Sequence, residues 1–208
     1  MKKTGPAAGD FPLVCVGGAS ADIDDYTNLI RTLPPELGIA IVIINHLSLV
    51  NDLLLEALPR CTSMAVDLIG DGMPVQPDHV YISPDERDLH IIDGEFHLRP
   101  TSKPMGWPDV ISVFLRSLAR HWHGPLIAVI YSGYDGDGAA ALSDVKGVGG
   151  ITIALRTDTS GQPDMPLSAI ASGHVDFILS IGGIAQEIER AAMAAKAVAS
   201  LEKAKVAT

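Results

Sequence analysis

The sequence predicts an α/β domain: a doubly wound, mainly parallel sheet with helices on both faces and a β-hairpin insertion. Three observations predict it. Short runs of aliphatic and β-branched residues recur along the chain with few polar interruptions, as expected of parallel strands covered on both faces. Most are followed by a turn of small or polar residues and then by apolar residues at helical spacing, the alternation that winds a parallel sheet. Between Met64 and Leu98 the pattern changes to short alternating runs with turn signals such as Asp93-Gly94, which reads as hairpins.

Residues 1–10 are polar and small, with Gly5, Pro6 and Gly9, and are expected to form a flexible tail; residues 11–200 are expected to form a single domain. The first strand is Leu13-Val14-Cys15-Val16-Gly17. A Gly-Gly-Ala-Ser turn follows, then a helix with Tyr26, Leu29, Ile30 and Leu33 on one face, stopped by Pro34-Pro35. Ile39 to Ile44 is a second buried strand, and Leu53, Leu54, Ala57 and Leu58 fit a helix ended by Pro59. Past the alternating runs and a Pro/Gly-rich loop (residues 100–108), Val110 to Trp122 reads as a helix. Leu126 to Tyr131 is a third buried strand, followed by a Gly/Asp-rich loop (residues 132–138) and a helix over Ala139 to Lys146. Gly150 to Leu155 is a strand, Met165 to Ala171 a helical turn, Val175 to Leu179 a last strand, and Ile184 to about Ala199 a closing helix.

Composition excludes several functions. The 208 residues are 47% apolar and 19% charged, so the chain can bury a core and is not intrinsically disordered. A net charge of −10 with scattered Lys and Arg argues against nucleic acid as a partner, and equally against a polybasic membrane anchor. The longest apolar stretch, Leu37 to Val50, is interrupted by Asn45 and His46 and is too short to insert through a membrane. Gly9, Asp10 and Pro12 break the run a secretory signal would need. Cys15 and Cys61 sit in or beside apolar runs and read as buried thiols of a reducing compartment.

In such a sheet reactive groups gather beyond the carboxyl ends of the strands. Ser20 follows the first strand, His46 ends the second, and Asp137 lies in the loop after the third. A hydroxyl, an imidazole and a carboxylate on neighbouring strand ends can serve as nucleophile, base and orienter. The small residues before Ser20 allow a sharp turn, and the free N–H groups at the start of the next helix can hold an oxyanion. An ordinary helix-capping serine is the competing reading of Ser20, and a strand-end histidine bonded to backbone is that of His46. Of Asp135 and Asp137, one is expected to cap the helix that follows and the other to orient His46. His121-Trp122-His123 lacks a third metal ligand, and Asp135-Gly136-Asp137-Gly138 lacks the ligand pattern of a calcium loop.

Three segments carry a family likeness. They are Val-Gly-Gly-Ala-Ser ending at Ser20, Ile-Ile-Asn-His-Leu-Ser around His46, and Tyr-Ser-Gly-Tyr-Asp-Gly-Asp-Gly-Ala from Tyr131 to Ala139. From about Leu13 to Arg190 the chain resembles the catalytic domain of the CheB-type chemotaxis protein-glutamate methylesterases. Their corresponding motifs are Gly-Ala-Ser, a strand ending Gln-His-Met or Gln-His-Leu, and Leu-Ser/Thr-Gly-Met-Gly-x-Asp-Gly-Ala. The resemblance implies a serine-type carboxylic ester hydrolase. Ser20 is then the nucleophile, His46 the base and acid, and Asp137 the orienter, with Ala21 and the backbone near Tyr134 at the oxyanion pocket. It implies hydrolysis of glutamyl methyl esters on a methylated chemoreceptor or related signalling protein in the cytoplasm, with glutamine deamidation as the family's second activity. It implies no cofactor. The receiver domain of well-known members has no room before Leu13, so a standalone enzyme or one governed by a separate partner is expected.

The departures are specific. Ser20-Ala21-Asp22-Ile23 lacks the two glycines usual after the family serine, and Asp22, Asp24 and Asp25 crowd the helix start. Asn45 replaces Gln, and the Gln usual near Leu155-Arg156 is absent. They keep open a second reading, a degenerate homologue that binds a receptor or signalling partner without efficient turnover.

Overall fold

The computed structural model describes residues 11–19, 23–103, 108–133, 135–157 and 164–206. In chain order the elements are β1 (Leu13–Gly18), α1 (Ile23–Thr32), β2 (Ala40–Asn45), α2 (Ser48–Ala57), β3 (Ala65–Leu68), β4 (His79–Ile82), β5 (Arg87–Ile92) and β6 (Glu95–Pro100). There follow α3 (Val110–His121), β7 (Leu126–Ser132), α4 (Leu142–Gly147), β8 (Ile151–Leu155), α5 (Met165–Ala171), β9 (Phe177–Leu179) and α6 (Ile181–Val206).

β1, β2 and β7 form where the sequence is most uniformly apolar, and all of their residues but Ser132 are buried. They are the centre of a seven-stranded sheet of order β3-β4-β2-β1-β7-β8-β9, with every pair parallel. Alternate side chains enter opposite cores, as strand geometry requires. Leu13 and Cys15 of β1 join Phe114, Leu118 and Trp122 of α3 and its flank. Val14 and Val16 join Tyr26 and Leu29 of α1, Leu54 of α2 and Ile188 of α6. Each fully buried isoleucine of β2 contributes about 2 kcal/mol by leaving water. The sheet therefore has helices on both faces, as the sequence predicts.

Residues 64–98 hold a single hairpin where several were expected. β5 and β6 pair antiparallel, turning at Asp93 (φ 53°) and Gly94 (φ 79°), the left-handed pair that a tight hairpin turn needs. This hairpin lies on α3, where the Ser117 hydroxyl accepts from Ile91 N–H at 2.9 Å and donates to its carbonyl at 3.2 Å. β3 and β4 instead join the parallel sheet, β4 beside β2 in the register Ala40–His79 to Ile43–Ile82. A run of four residues does not reveal whether its partner is parallel or antiparallel. The region expected as one helix over Ala139 to Lys146 divides into a 3₁₀ turn, Ala139–Ala141, and α4.

From β1 the chain passes to β2, then to β3 at the sheet edge and back to β4 between them, before crossing over to β7, β8 and β9 on the other side of β1. The direction of winding reverses between β1 and β7. Loops diverge there and leave a crevice at the carboxyl ends of the strands.

Candidate active site

At this crevice three loop starts are stitched side by side. Gly18 is in register with Asn45 on one side and Ser132 on the other. The His46 N–H donates to the Gly18 carbonyl at 3.2 Å, and the Ala19 N–H donates to the Ser132 carbonyl at 2.7 Å. Buried Asn45 fixes the corner after β2. Its Oδ1 accepts from the Leu47 N–H at 2.8 Å, closing a local turn, while its Nδ2 donates to the Tyr26 hydroxyl at 3.2 Å. Tyr26 stacks on Tyr131 beneath, with ring centroids 5.3 Å apart. The backbone that carries His46 is thus tied to β1, and its side chain turns toward the loop after β7.

There the imidazole meets Asp137. Nε2 lies 2.8 Å from Asp137 Oδ2. The carboxylate is buried, and its position is set by the start of α3. Asp137 Oδ2 accepts from the Ile111 N–H at 2.8 Å, and Oδ1 accepts from the Ser112 N–H at 2.9 Å and the Gly138 N–H at 2.7 Å. The first N–H groups of a helix have no partner within it, and an anion there also meets the positive end of the helix dipole. The acid of the loop therefore caps α3, the preceding helix, rather than the helix that follows; Asp109, at the N-cap position itself, makes no capping bond. Burial alone would raise the pKa of Asp137, but hydrogen bonds from His46, Asp109, Ser112 and the Ile111 N–H hold it well below the usual carboxylate range. Asp109 takes the opposite shift. Its hydrogen bond to Asp137 and its own burial raise its pKa to about 6.

Two glycines let the pieces close up. Gly138 has φ +86°, and a Cβ there would stand 2.6 Å from Ile130 Cδ1 and 2.9 Å from Ile111 Cγ2. A Cβ on Gly17 would stand 2.6 Å from Ile111 Cγ2. The start of α3 thus packs directly on the ends of β1 and β7.

The second ring nitrogen also faces a carboxylate: His46 Nδ1 is 3.3 Å from Asp135 Oδ2. Asp135 is half exposed, and its other oxygen accepts from the Asp137 N–H at 3.1 Å within the loop. Burial alone would lower the pKa of His46, but the hydrogen bonds and charges of Asp135 and Asp137 outweigh it and raise the imidazole to about 9. The same pairing holds Asp135 below its ordinary value.

A cleft of about 470 Å³ opens beside the imidazole. Asn45 and His46 line it, and Asp85, Arg87, Thr101 and Lys103 form a further part of its wall. That wall is tied down by Asn51 Nδ2 donating to Asp85 Oδ1 at 2.6 Å and the Ser102 N–H donating to Asp88 Oδ2 at 2.9 Å.

Of the site residues expected from sequence, the structure brings His46 and Asp137 together. Ser20, Ala21 and Tyr134 lie outside the described residues. Cys15 is buried as expected, whereas Cys61 is only half buried. Sequence reasoning missed Asp109 and Ser112. Their signal was the run Asp109-Val110-Ile111-Ser112 opening a helix, a place where free N–H groups await an acceptor. No described helix is long and apolar enough to cross a membrane.

Comparison with known proteins places this arrangement among relatives. The family model described as CheB methylesterase matches residues 14–188. The chain is 29% identical over 189 residues to protein-glutamate methylesterase/protein-glutamine glutaminase 1 of Burkholderia lata, covering 89% of this chain and 56% of that protein. It is 31% identical over 195 residues to the enzyme numbered 2 in the same organism, covering 88% of this chain and 55% of that protein. The chain thus spans about half the length of these curated relatives. The crystal structure of the Thermotoga maritima CheB methylesterase catalytic domain superposes with a TM-score of 0.77 at 27% identity, covering 86% of this chain and 98% of that one.

Proposed function

The chain belongs to the CheB methylesterase family, and from that premise we propose that it hydrolyses glutamyl methyl esters on chemoreceptors, with Ser20 as nucleophile, His46 as base and then acid, and Asp137 as orienter. The observation that carries the reading is the 2.8 Å contact between His46 Nε2 and a buried carboxylate anchored on a helix start. A carboxylate so placed fixes the ring orientation and keeps the proton on Nε2, which leaves Nδ1 as the basic nitrogen.

Ser20 follows directly in sequence on Ala19, whose N–H donates to the Ser132 carbonyl at the end of β7. In the proposed sequence the Ser20 Oγ attacks the ester carbonyl carbon while its proton passes to His46 Nδ1. Backbone N–H groups at Ala21 and Tyr134 receive the oxyanion. As the tetrahedral intermediate collapses, the C–O bond to the methoxy group breaks and the imidazolium proton leaves with methanol. Water then attacks the acyl-serine with His46 again as base, giving the glutamate carboxylate and free Ser20. Deamidation of glutamine follows the same steps with ammonia as leaving group. The free thiols Cys15 and Cys61 support a cytoplasmic setting.

A partner-binding homologue without turnover is the second reading, favoured by one observation: Nδ1, the nitrogen the serine must use, is held by Asp135. Methanol release from methylated receptor membranes decides between them. The native protein is expected to release methanol and Ser20→Ala to release none. If both are silent while each still binds the receptor, the binding reading replaces the hydrolase.

A further inference from the structure

The geometry points to Asp135 as a positioning residue that clamps His46 on Nδ1 and keeps the imidazole doubly protonated until the clamp opens; the inference rests on the hydrolase reading above and assigns its resting state. A neutral imidazole carries one N–H and one lone pair. Here both nitrogens face carboxylate oxygens, Nε2 to Asp137 at 2.8 Å and Nδ1 to Asp135 at 3.3 Å. A lone pair aimed at a carboxylate is repelled, so both contacts are attractive only when both nitrogens carry a proton. The imidazolium has no lone pair with which to take the Ser20 proton.

The surrounding charges favour the same state. Among the described residues, Asp135 and Asp137 are the charges that act most strongly on the ring. At the start of α3, Asp109 lies against Asp137, and Arg116 reaches Asp109 at 3.6 Å, too far out to counter the carboxylates at the ring. On the cleft wall Asp85 and Glu86 stand with Arg87 and Lys103, two of each sign. Cys15, buried on the other side, has its thiol pushed up by burial and by the charge of Asp137, and stays neutral. The imidazole pKa raised to about 9 agrees with the geometry.

The two acids differ in what releases them. Asp137 is bound by three backbone N–H groups, whereas Asp135 has 52% of its side chain exposed and can swing away. Its departure lowers the ring's proton affinity, so that Nδ1 gives up its proton to water and gains the lone pair of a base; substrate entry or high pH has to loosen this contact before acyl transfer begins. Where the CheB motif quoted above reads Gly-x-Asp, this chain reads Asp-Gly-Asp, so the clamp is a feature of this sequence.

The test uses the native chain and Asp135→Asn, which keeps the oxygen that the Asp137 N–H needs but removes the charge, with Asp135→Gly as a second variant should the first not fold. Carbon-13 histidine labelling follows the His46 ring, assigned by its loss in His46→Gln, and p-nitrophenyl acetate reports kcat/KM from pH 5.5 to 10. The native ring is expected to titrate near pH 9, and in Asp135→Asn at least one pH unit lower. The acid limb of kcat/KM moves with it, so the variant is about tenfold or more faster at pH 7 and equal to the native protein at pH 10. A ring titration and an acid limb unmoved by either substitution overturn the clamp. A variant slower than native at every pH also overturns it, because Asp135 would then be assisting the base. A ring titration that moves while neither protein cleaves any ester upholds the clamp and removes the hydrolase reading instead.

Discussion

The two edges of His46 are built to different standards. On the Nε2 edge, Asp137 is 3% exposed and its oxygens accept from the backbone of Ile111, Ser112 and Gly138 as well as from the ring. On the Nδ1 edge, Asp135 is 52% exposed and has one backbone partner among the described residues, in its own loop. The inner carboxylate cannot move without uncapping α3, so it fixes ring orientation and is coupled to folding. The outer one costs little to displace, so it acts on ring charge and is coupled to pH and to whatever enters the cleft. One residue can thus be held for geometry and tuned for charge by acids two positions apart.

The sharpest way to break this contrast is to disarm the inner edge. Asp137→Asn is expected to lower kcat/KM by about a thousandfold or more, because an amide does not keep the proton on Nε2. Asp137→Ala should also destabilise the fold by about 3 kcal/mol, since it leaves two buried α3 N–H groups unpaired; urea unfolding reads the loss. If Asp137→Asn is harmless while Asp135→Asn is inactive, the two edges have been assigned the wrong way round.

Stability against pH sharpens the same difference. The folded pKa of His46 is raised from 6.5 to about 9. Its contribution is therefore full below about pH 6.5 and is lost as pH rises through 9, an expected fall of about 3 kcal/mol. Asp137, with its pKa depressed, behaves oppositely: its contribution is present above the unfolded value of 3.8 and is lost on acidification. Urea midpoints measured from pH 6 to 10 should fall in the native chain and stay flatter in Asp135→Asn. Gly138→Ala tests the close approach of α3. A left-handed backbone and a 2.6 Å contact with Ile130 predict about 2 kcal/mol of destabilisation and slower turnover. The smallest effect is expected from Asn45→Ala, about 1 kcal/mol by thermal or urea unfolding, through loss of the turn to Leu47 and the bond to Tyr26.

Much of this was legible in the sequence, and what was not has physical causes. β1, β2 and β7 announced themselves because strands buried on both faces must be apolar throughout. β3, an edge strand of the sheet with exposed Ala65 and Leu68, has no such constraint and gave no signal. β4 was read as part of a hairpin because its partner β2 lies far away in sequence, while β5 and β6 alternate close by. His46 and Asp137 could be placed together because they follow β2 and β7, the strands on either side of β1, and the choice of Asp137 over Asp135 came from the family resemblance. The capping of α3 by Asp137 joins residues 26 apart, and no local pattern encodes it. The grip of Asp135 on Nδ1 depends on the path of one loop in space, which the motif Asp-Gly-Asp-Gly states only as two acids close together.

Covalent labelling reports on the Ser20–His46 couple itself. The protein is treated at pH 9, where the ring is substantially neutral, with a fluorophosphonate that reacts only with an activated serine, and the adduct is mapped by peptide mass spectrometry. One adduct is expected, on Ser20, and it disappears in His46→Ala; no adduct, or one that forms equally fast without the imidazole, means that His46 does not activate Ser20.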